Sequence, residues 1–256
     1  MTAEVGGGED LAGSAPLAVV TGASAGIGEA IARRLAKEGF RLLLGARRED
    51  RIRNLAEELG AEARVLDVSD RASVTAFCQG VEEAQVLVNN AGGARGADLV
   101  VEADPERWRW MWEVNVLGLV QMTRALMPAL ERSGRGHIVN ISSTAGIEVY
   151  EGGGGYTSVK HAVHAISQTL RLELAGRPIR VTEVMPGMVK TDFALNRYQG
   201  DQEKADGVYK GVTPLTAEDV ADVVAFAVTR PPHVDLDQIV MRPVQQASAY
   251  KVVRRS

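Results

Sequence analysis

The sequence predicts a single α/β domain with a doubly wound parallel sheet, and three observations carry that expectation. Short apolar runs alternate with amphipathic stretches of about ten to fifteen residues, the pattern that gives right-handed crossovers and a parallel sheet covered by helices on both faces. Runs such as Leu17-Ala18-Val19-Val20 and Val86-Leu87-Val88 are unbroken, as strands buried on both faces require. The first run ends in a glycine-rich turn, Thr21 to Gly28, that opens directly into a helical pattern. A chain of 256 residues can bury one large core, so one domain is expected over residues 17–256, behind a flexible leader of residues 1–16.

Composition narrows the function. With 45% hydrophobic and 24% charged residues the chain reads as soluble and globular. No apolar run approaches the ~18 residues of a membrane span. A formal charge of -4 argues against a nucleic-acid partner, and the basic tail Lys251 to Arg255 reads as solvated. The one cysteine, Cys78, excludes an intramolecular disulfide, and the leader lacks the basic start and apolar core of a secretory signal, so a cytoplasmic location is expected by elimination. His161 and His164 share a helix face but have no carboxylate or cysteine at ligand spacing, so no metal is expected.

Taken in order, the strand Leu17 to Val20 leads through Gly22, Ser24, Gly26, Ile27 and Gly28 into a helix that carries Ile27, Ile31 and Leu35 on one face. Strand, glycine turn and helix N-terminus together suit a pyrophosphate, because glycines allow close backbone approach and the first helical N–H groups are free. The plain alternative is a tight strand-to-helix connection. The second strand, Leu42-Leu43-Leu44, ends in Gly45-Ala46-Arg47-Arg48. An acid at this strand end would bind the ribose hydroxyls of NAD; Ala46 with Arg47 and Arg48 instead suits the 2′-phosphate of NADP, unless the arginines only cap the turn before the helix Glu49 to Leu59.

A third strand is expected over Arg64 to Val68, a helix from Arg71 to about Glu83, and a fourth strand over Val86 to Val88. Asp67 and Asn90 stand at strand ends, where ligands bind in open sheets of this kind. Helices over Pro105 to Val114 and Leu117 to Arg132 carry Trp108, Trp110 and Trp112, read as core and interface packing. Asn115 lies among apolar neighbours and needs a hydrogen-bond partner, or is a helix-kink residue satisfied by backbone. The fifth strand, His137 to Ile141, ends in Ser142-Ser143, and a mobile glycine-rich loop, Glu151 to Gly155, folds Ser143 back toward Tyr156. The strand Ile179 to Val184, a lid-like segment over 192–212, a helix Ala217 to Val228 and a last strand Ile239 to Met241 complete seven candidate strands.

Tyr156 and Lys160 begin a helix whose apolar residues Val159, Val163, Ile166, Leu170 and Leu174 mark one face. At a spacing of four they stack as neighbours, and a lysine cation there would lower the pKa of the phenol. A solvated Tyr and Lys pair has the same spacing.

The ordered set Thr21 to Gly28, Asp67-Val68, Asn89 to Gly92, Asn115, Ser143, Tyr156 with Lys160, and Pro186-Gly187 with Thr191 resembles the short-chain dehydrogenase/reductase family from Leu17 onward. The resemblance implies a Rossmann-like fold, an NADP(H)-dependent enzyme that transfers hydride between nicotinamide and a carbonyl or alcohol, and catalytic roles for Asn115, Ser143, Tyr156 and Lys160. It also implies that Asp67 and Val68 hold the adenine, that Asn90 lies along the cofactor, that Pro186, Gly187, Val189 and Thr191 meet the nicotinamide, and that Lys160 binds its ribose. Asn115 would hold a water that reconnects Lys160 to solvent, and the helices over 117–132 and 159–175 would build a tetramer or dimer. Stretches such as Gly118 to Ala125 and Asn196 to Asp201 look closer to the NADP-dependent 3-hydroxy acid (serine) dehydrogenases, and similar to aldehyde reductases of secondary metabolism. For an acidic substrate Arg197 is the candidate carboxylate partner, or an exposed lid residue. A catalytically silent NADP(H) sensor on the same fold is the rival class.

Overall fold

The computed structural model describes residues 15–255, so the leader expected over 1–16 lies outside the described residues except for Ala15 and Pro16. The seven strands are β1 (Leu17–Thr21), β2 (Arg41–Ala46), β3 (Glu62–Val65), β4 (Val86–Asn89), β5 (Gly136–Ile141), β6 (Ile179–Pro186) and β7 (Gln238–Met241). They form one sheet in the order β3-β2-β1-β4-β5-β6-β7, and every pairing is parallel. The order reverses between β1 and β4, and the crevice at such a switch point is where this kind of sheet takes a ligand.

Nine helices connect the strands among the described residues: α1 (Gly26–Lys37), α2 (Glu49–Leu59), α3 (Arg71–Cys78), α4 (Pro105–Trp112), α5 (Gly118–Arg132), α6 (Gly154–Glu173), α7 (Phe193–Arg197), α8 (Gln202–Tyr209) and α9 (Ala217–Val228). Alternate residues of each strand serve the two faces. Val20, Leu44, Val88, Val139 and Val184 pack with Ile31 and Leu35 of α1 and Val220 and Val224 of α9. Val19, Leu43, Leu87, Ile138 and Val181 pack with Phe77 of α3 and Met122 and Leu126 of α5.

Several boundaries differ from the sequence reading. β3 covers Glu62–Val65, because the carboxylate of Asp67 accepts from the N–H and hydroxyl of Ser69 (3.0 and 2.6 Å) and turns the chain out of the sheet. α3 stops at Cys78: Gly80 takes a left-handed φ of 76°, and Arg64 donates to the carbonyls of Phe77 and Gln79 (2.6 and 2.7 Å). α6 begins at Gly154, inside the stretch expected to be a mobile loop. A Cβ on Gly155 would stand 2.4 Å from Met111 Cε, and one on Gly154 3.1 Å from the Trp108 ring, so these glycines permit close packing on α4. The basic tail is not merely solvated either: Arg254 donates to the carbonyls of Val208 and Lys210 at the end of α8.

A buried polar row crosses the sheet beneath α5 and α6. Asn89, Asn140 and Glu183 stand in register on β4, β5 and β6 and are at most 5% exposed. Asn89 donates to Thr123 and Asn140 (3.0 Å each), Asn140 donates to Ser167 (2.9 Å), and Glu183 meets His164 Nδ1 at 2.7 Å. Burial without partners would be costly, so these bonds tie the two helices to the sheet in one register.

Candidate active site

A cleft of about 790 Å³ opens along the carboxyl ends of the strands. Its lining includes every residue proposed from sequence for cofactor, proton transfer and substrate except Asn115.

At one end, β1 runs into the glycine turn. Gly22 and Gly26 adopt φ of 68° and 57°, which a side chain would strain. A Cβ on Gly28 would lie 2.3 Å from the Gly22 carbonyl oxygen, so the helix starts tight against the turn. Asn90 fixes this geometry from just after β4: its amide donates to the carbonyls of Thr21 and Gly22 (2.9 and 3.3 Å). The N-terminus of α1 has Ala25 as its cap residue and no side-chain cap, which leaves first-turn N–H groups facing the cleft. Across the turn, Arg48 donates to Ser24 Oγ from Nε and Nη2 (3.1 and 2.9 Å), and exposed Arg47 lies beside it. The donor set fits a dinucleotide with an extra phosphate: uncapped amides for the pyrophosphate, two guanidinium groups at the end of β2, and no acid after Ala46.

At the other end, α6 carries Tyr156 and Lys160, and the Lys160 ammonium lies 5.7 Å from the Tyr156 ring centre. Lys160 is 7% exposed and donates to the Ile141 carbonyl (3.1 Å). Burial pulls its pKa down to about 8, with Glu183 opposing that shift. The Tyr156 pKa is raised, not lowered as the pairing with Lys160 led one to expect. Burial pushes the phenol above its ordinary value; Tyr150 adds to the rise, and the Ser143 hydroxyl and Arg197 pull against it. The loss of water around the phenolate outweighs the Ser143 hydrogen bond and the Arg197 cation. Ser143 Oγ accepts from the Ala145 N–H (3.1 Å) and donates to the Pro186 carbonyl (3.3 Å), which holds the hydroxyl beside the phenol.

Asn115 sits behind the cleft, 2% exposed, in a π turn at Glu113–Leu117 that joins α4 to α5. Its amide donates to the carbonyls of Gly93 and Met111 (2.9 and 2.8 Å), and its oxygen accepts from the Gly93 N–H (3.2 Å). Its side chain is thus satisfied by backbone at the kink, and it fixes the loop after β4. A Cβ on Gly92 would stand 2.5 Å from the Asn115 oxygen.

The segment over 192–212 folds as α7 and α8, and Tyr209 donates from α8 to the Val189 carbonyl (2.8 Å). Arg197 lines the cleft with its guanidinium 5.9 Å from the Tyr156 ring centre. Sequence reasoning missed Gln246, whose oxygen accepts from the Met188 N–H (2.8 Å) and leaves no room for a Cβ on Gly187. It also missed Glu183, which meets His164 and whose charge acts on Lys160. Both contacts join segments far apart in sequence, so no local spacing signals them. Among the described residues there is no cluster of three or more metal-ligating side chains, and no helix is long and apolar enough to cross a membrane.

Comparison with known proteins supplies independent findings. Residues 16–202 match the family model of the short chain dehydrogenases. An uncharacterized oxidoreductase of Mycobacterium tuberculosis is 58% identical over 91% of this chain and 93% of its own. The NADP-dependent 3-hydroxy acid dehydrogenase YdfG of Salmonella typhi is 40% identical over 94% of this chain and 100% of its own. A solved structure described as the closed form of serine dehydrogenase complexed with NADP+ superposes with a TM-score of 0.88, at 39% identity, over 94% of this chain and 100% of that one.

Proposed function

This chain belongs to the short chain dehydrogenase family, and on that premise we propose that it interconverts a small 3-hydroxy acid and its carbonyl counterpart with NADP(H). It is an NADP(H)-dependent oxidoreductase, and nothing in the comparisons favours a silent sensor. The observation that carries the reading is one continuous cleft with an uncapped helix N-terminus and Arg47 and Arg48 at one end, and half-buried Tyr156 and Ser143 with buried Lys160 at the other.

NADPH, when bound, supplies the hydride for the carbonyl carbon, and NADP+ accepts it in reverse. The residues of the chain handle the oxygen and its proton. Ser143 and Tyr156 hydrogen-bond the carbonyl oxygen, and Tyr156 donates the proton as general acid. Burial keeps that proton on the phenol at neutral pH, ready for reduction. Lys160, which donates to the Ile141 carbonyl, would hold the ribose of a bound cofactor, and Asn115 fixes the loop wall from behind. Asp67 and Val68 line the cleft where they would flank the adenine, Asn90 holds the glycine turn, and Pro186, Gly187, Val189 and Thr191 would border the nicotinamide. The α7–α8 segment acts as a lid, and one catalytic domain spans residues 17–256. A cytoplasmic homotetramer or dimer is part of the same reading, supported by exposed Leu117 and Val120 on the helix pair and Leu172 on α6. Arg47→Asp tests the cofactor assignment: NADPH should bind about 10- to 100-fold more weakly with NADH little changed, and equal losses for both would contradict it.

A further inference from the structure

Two arginines line the cleft, exposed Arg95 after β4 and half-buried Arg197 on α7, and their donors are engaged differently. Arg197 donates from Nε to the Gly96 carbonyl (2.9 Å), from Nη1 to the Tyr150 hydroxyl (3.0 Å) and from Nη2 to the Gly152 carbonyl (3.1 Å). The Gly96 N–H returns a bond to the Arg197 carbonyl (3.0 Å). The side chain therefore clasps three segments together: the loop after β4, the loop before α6, and α7. An incoming acid would have to break or share those bonds.

Arg95 is placed otherwise. Its guanidinium carbon lies 3.8 Å from the centre of the Trp110 ring, and among the described residues its side chain has no hydrogen-bond or ion-pair partner. Stacking uses the face of the guanidinium and leaves the in-plane N–H fork free, which is the geometry that receives a carboxylate. The shelf is fixed. Trp110 packs on the cluster of Ala94, Met111, Val116 and Val159, and Tyr156 packs on the same cluster. A Cβ on Gly93 would stand 3.1 Å from the Trp110 ring, and the Arg95 N–H lies 3.4 Å from Met111 Sδ. Arg95, Trp110 and Tyr156 all line the cleft.

We propose that Arg95, held on the Trp110 shelf, is the specificity residue that takes the acid group of the substrate, and that Arg197 is a clasp that shapes the pocket. The proposal rests on the acid-substrate reading above and replaces the expectation that Arg197 meets the carboxylate. Losing the fork removes a charge-assisted pair from the acid substrate alone, while losing the clasp disorders the pocket for any substrate.

The test is steady-state oxidation of 3-hydroxybutanoate and of its methyl ester with NADP+, by the wild type and by Arg95→Met, Arg95→Lys and Arg197→Met. Malonate serves as a competitive probe of the acid site. Arg95→Met should raise KM for the acid at least about tenfold, weaken malonate inhibition in parallel, and leave the ester and the NADPH Kd unchanged. Arg95→Lys should recover part of the loss, and Arg197→Met should lower turnover of acid and ester alike. An acid-to-ester ratio of kcat/KM in Arg95→Met equal to that of the wild type overturns the proposal, as does an acid-selective loss confined to Arg197→Met. A wild type with no preference for the acid over the ester instead overturns the substrate reading, and the role of Arg95 falls with it.

Discussion

Tyr156 and Lys160 are four residues apart, and α6 does set them side by side, as helical spacing requires. The sign of their electrostatics was not legible in that spacing. Burial is a tertiary quantity, and here it raises the phenol and lowers the ammonium to about 8. The same holds for Glu183, which lies wholly buried beneath α6 and is the charge that opposes the desolvation of Lys160. Glu183→Gln withdraws that support, so Lys160 should lose its proton at a lower pH than about 8. NADPH affinity measured from pH 6.5 to 9.5 should then fall off at lower pH in the variant; an unmoved midpoint would show that Glu183 does not act on Lys160.

Elements were read well where the pattern is unbroken and poorly where side chains from elsewhere end them. The apolar runs gave β1, β2, β4 and β5 because strands covered on both faces have little choice of residue. The end of α3 depends on Arg64, which reaches across from β3 to cap it, and the π turn at Asn115 depends on the backbone of Gly93. Neither partner is a sequence neighbour. α9 is the opposite case, since its start is written locally: Thr216 Oγ1 accepts from the Asp219 N–H (3.2 Å), and the Asp219 carboxylate accepts from the Thr216 N–H (2.7 Å). Thr216→Ala removes half of this box and should lower the urea unfolding free energy by about 1 kcal/mol. A change within error would mean that solvent replaces the cap.

Across the whole fold, the sheet order places the glycine turn, Asn90, Ser143 and Pro186 along one edge, and this placement gathers six of the seven motifs into a cleft with Asn115 behind it. The order of motifs made that architecture legible, whereas the buried row beneath α5 and α6 was not. His137 shows the cost of such burial. It is 0% exposed, Nε2 lies 2.7 Å from Thr182 Oγ1, and burial with the nearby Arg180 lowers its pKa from 6.5 to about 3. Between those values the unfolded chain binds a proton that the folded one does not, so stability falls as pH drops from about 6.5 toward about 3. The slope from this one residue is up to about 1.4 kcal/mol per pH unit. His137→Gln should flatten it in urea titrations at pH 7, 5 and 4, and an unchanged slope would assign the acid lability elsewhere.

Tyr156 carries the substrate's proton in a cleft assembled independently of its hydroxyl, on the function proposed above. Tyr156→Phe keeps the ring that packs against Phe193, with centroids 5.4 Å apart, and removes only the oxygen. NADPH oxidation against a 3-oxo acid, measured together with the NADPH Kd, tests the claim directly. Turnover should fall by roughly 10² to 10⁴ while the Kd stays within a few-fold of wild type; turnover within tenfold of wild type would contradict it.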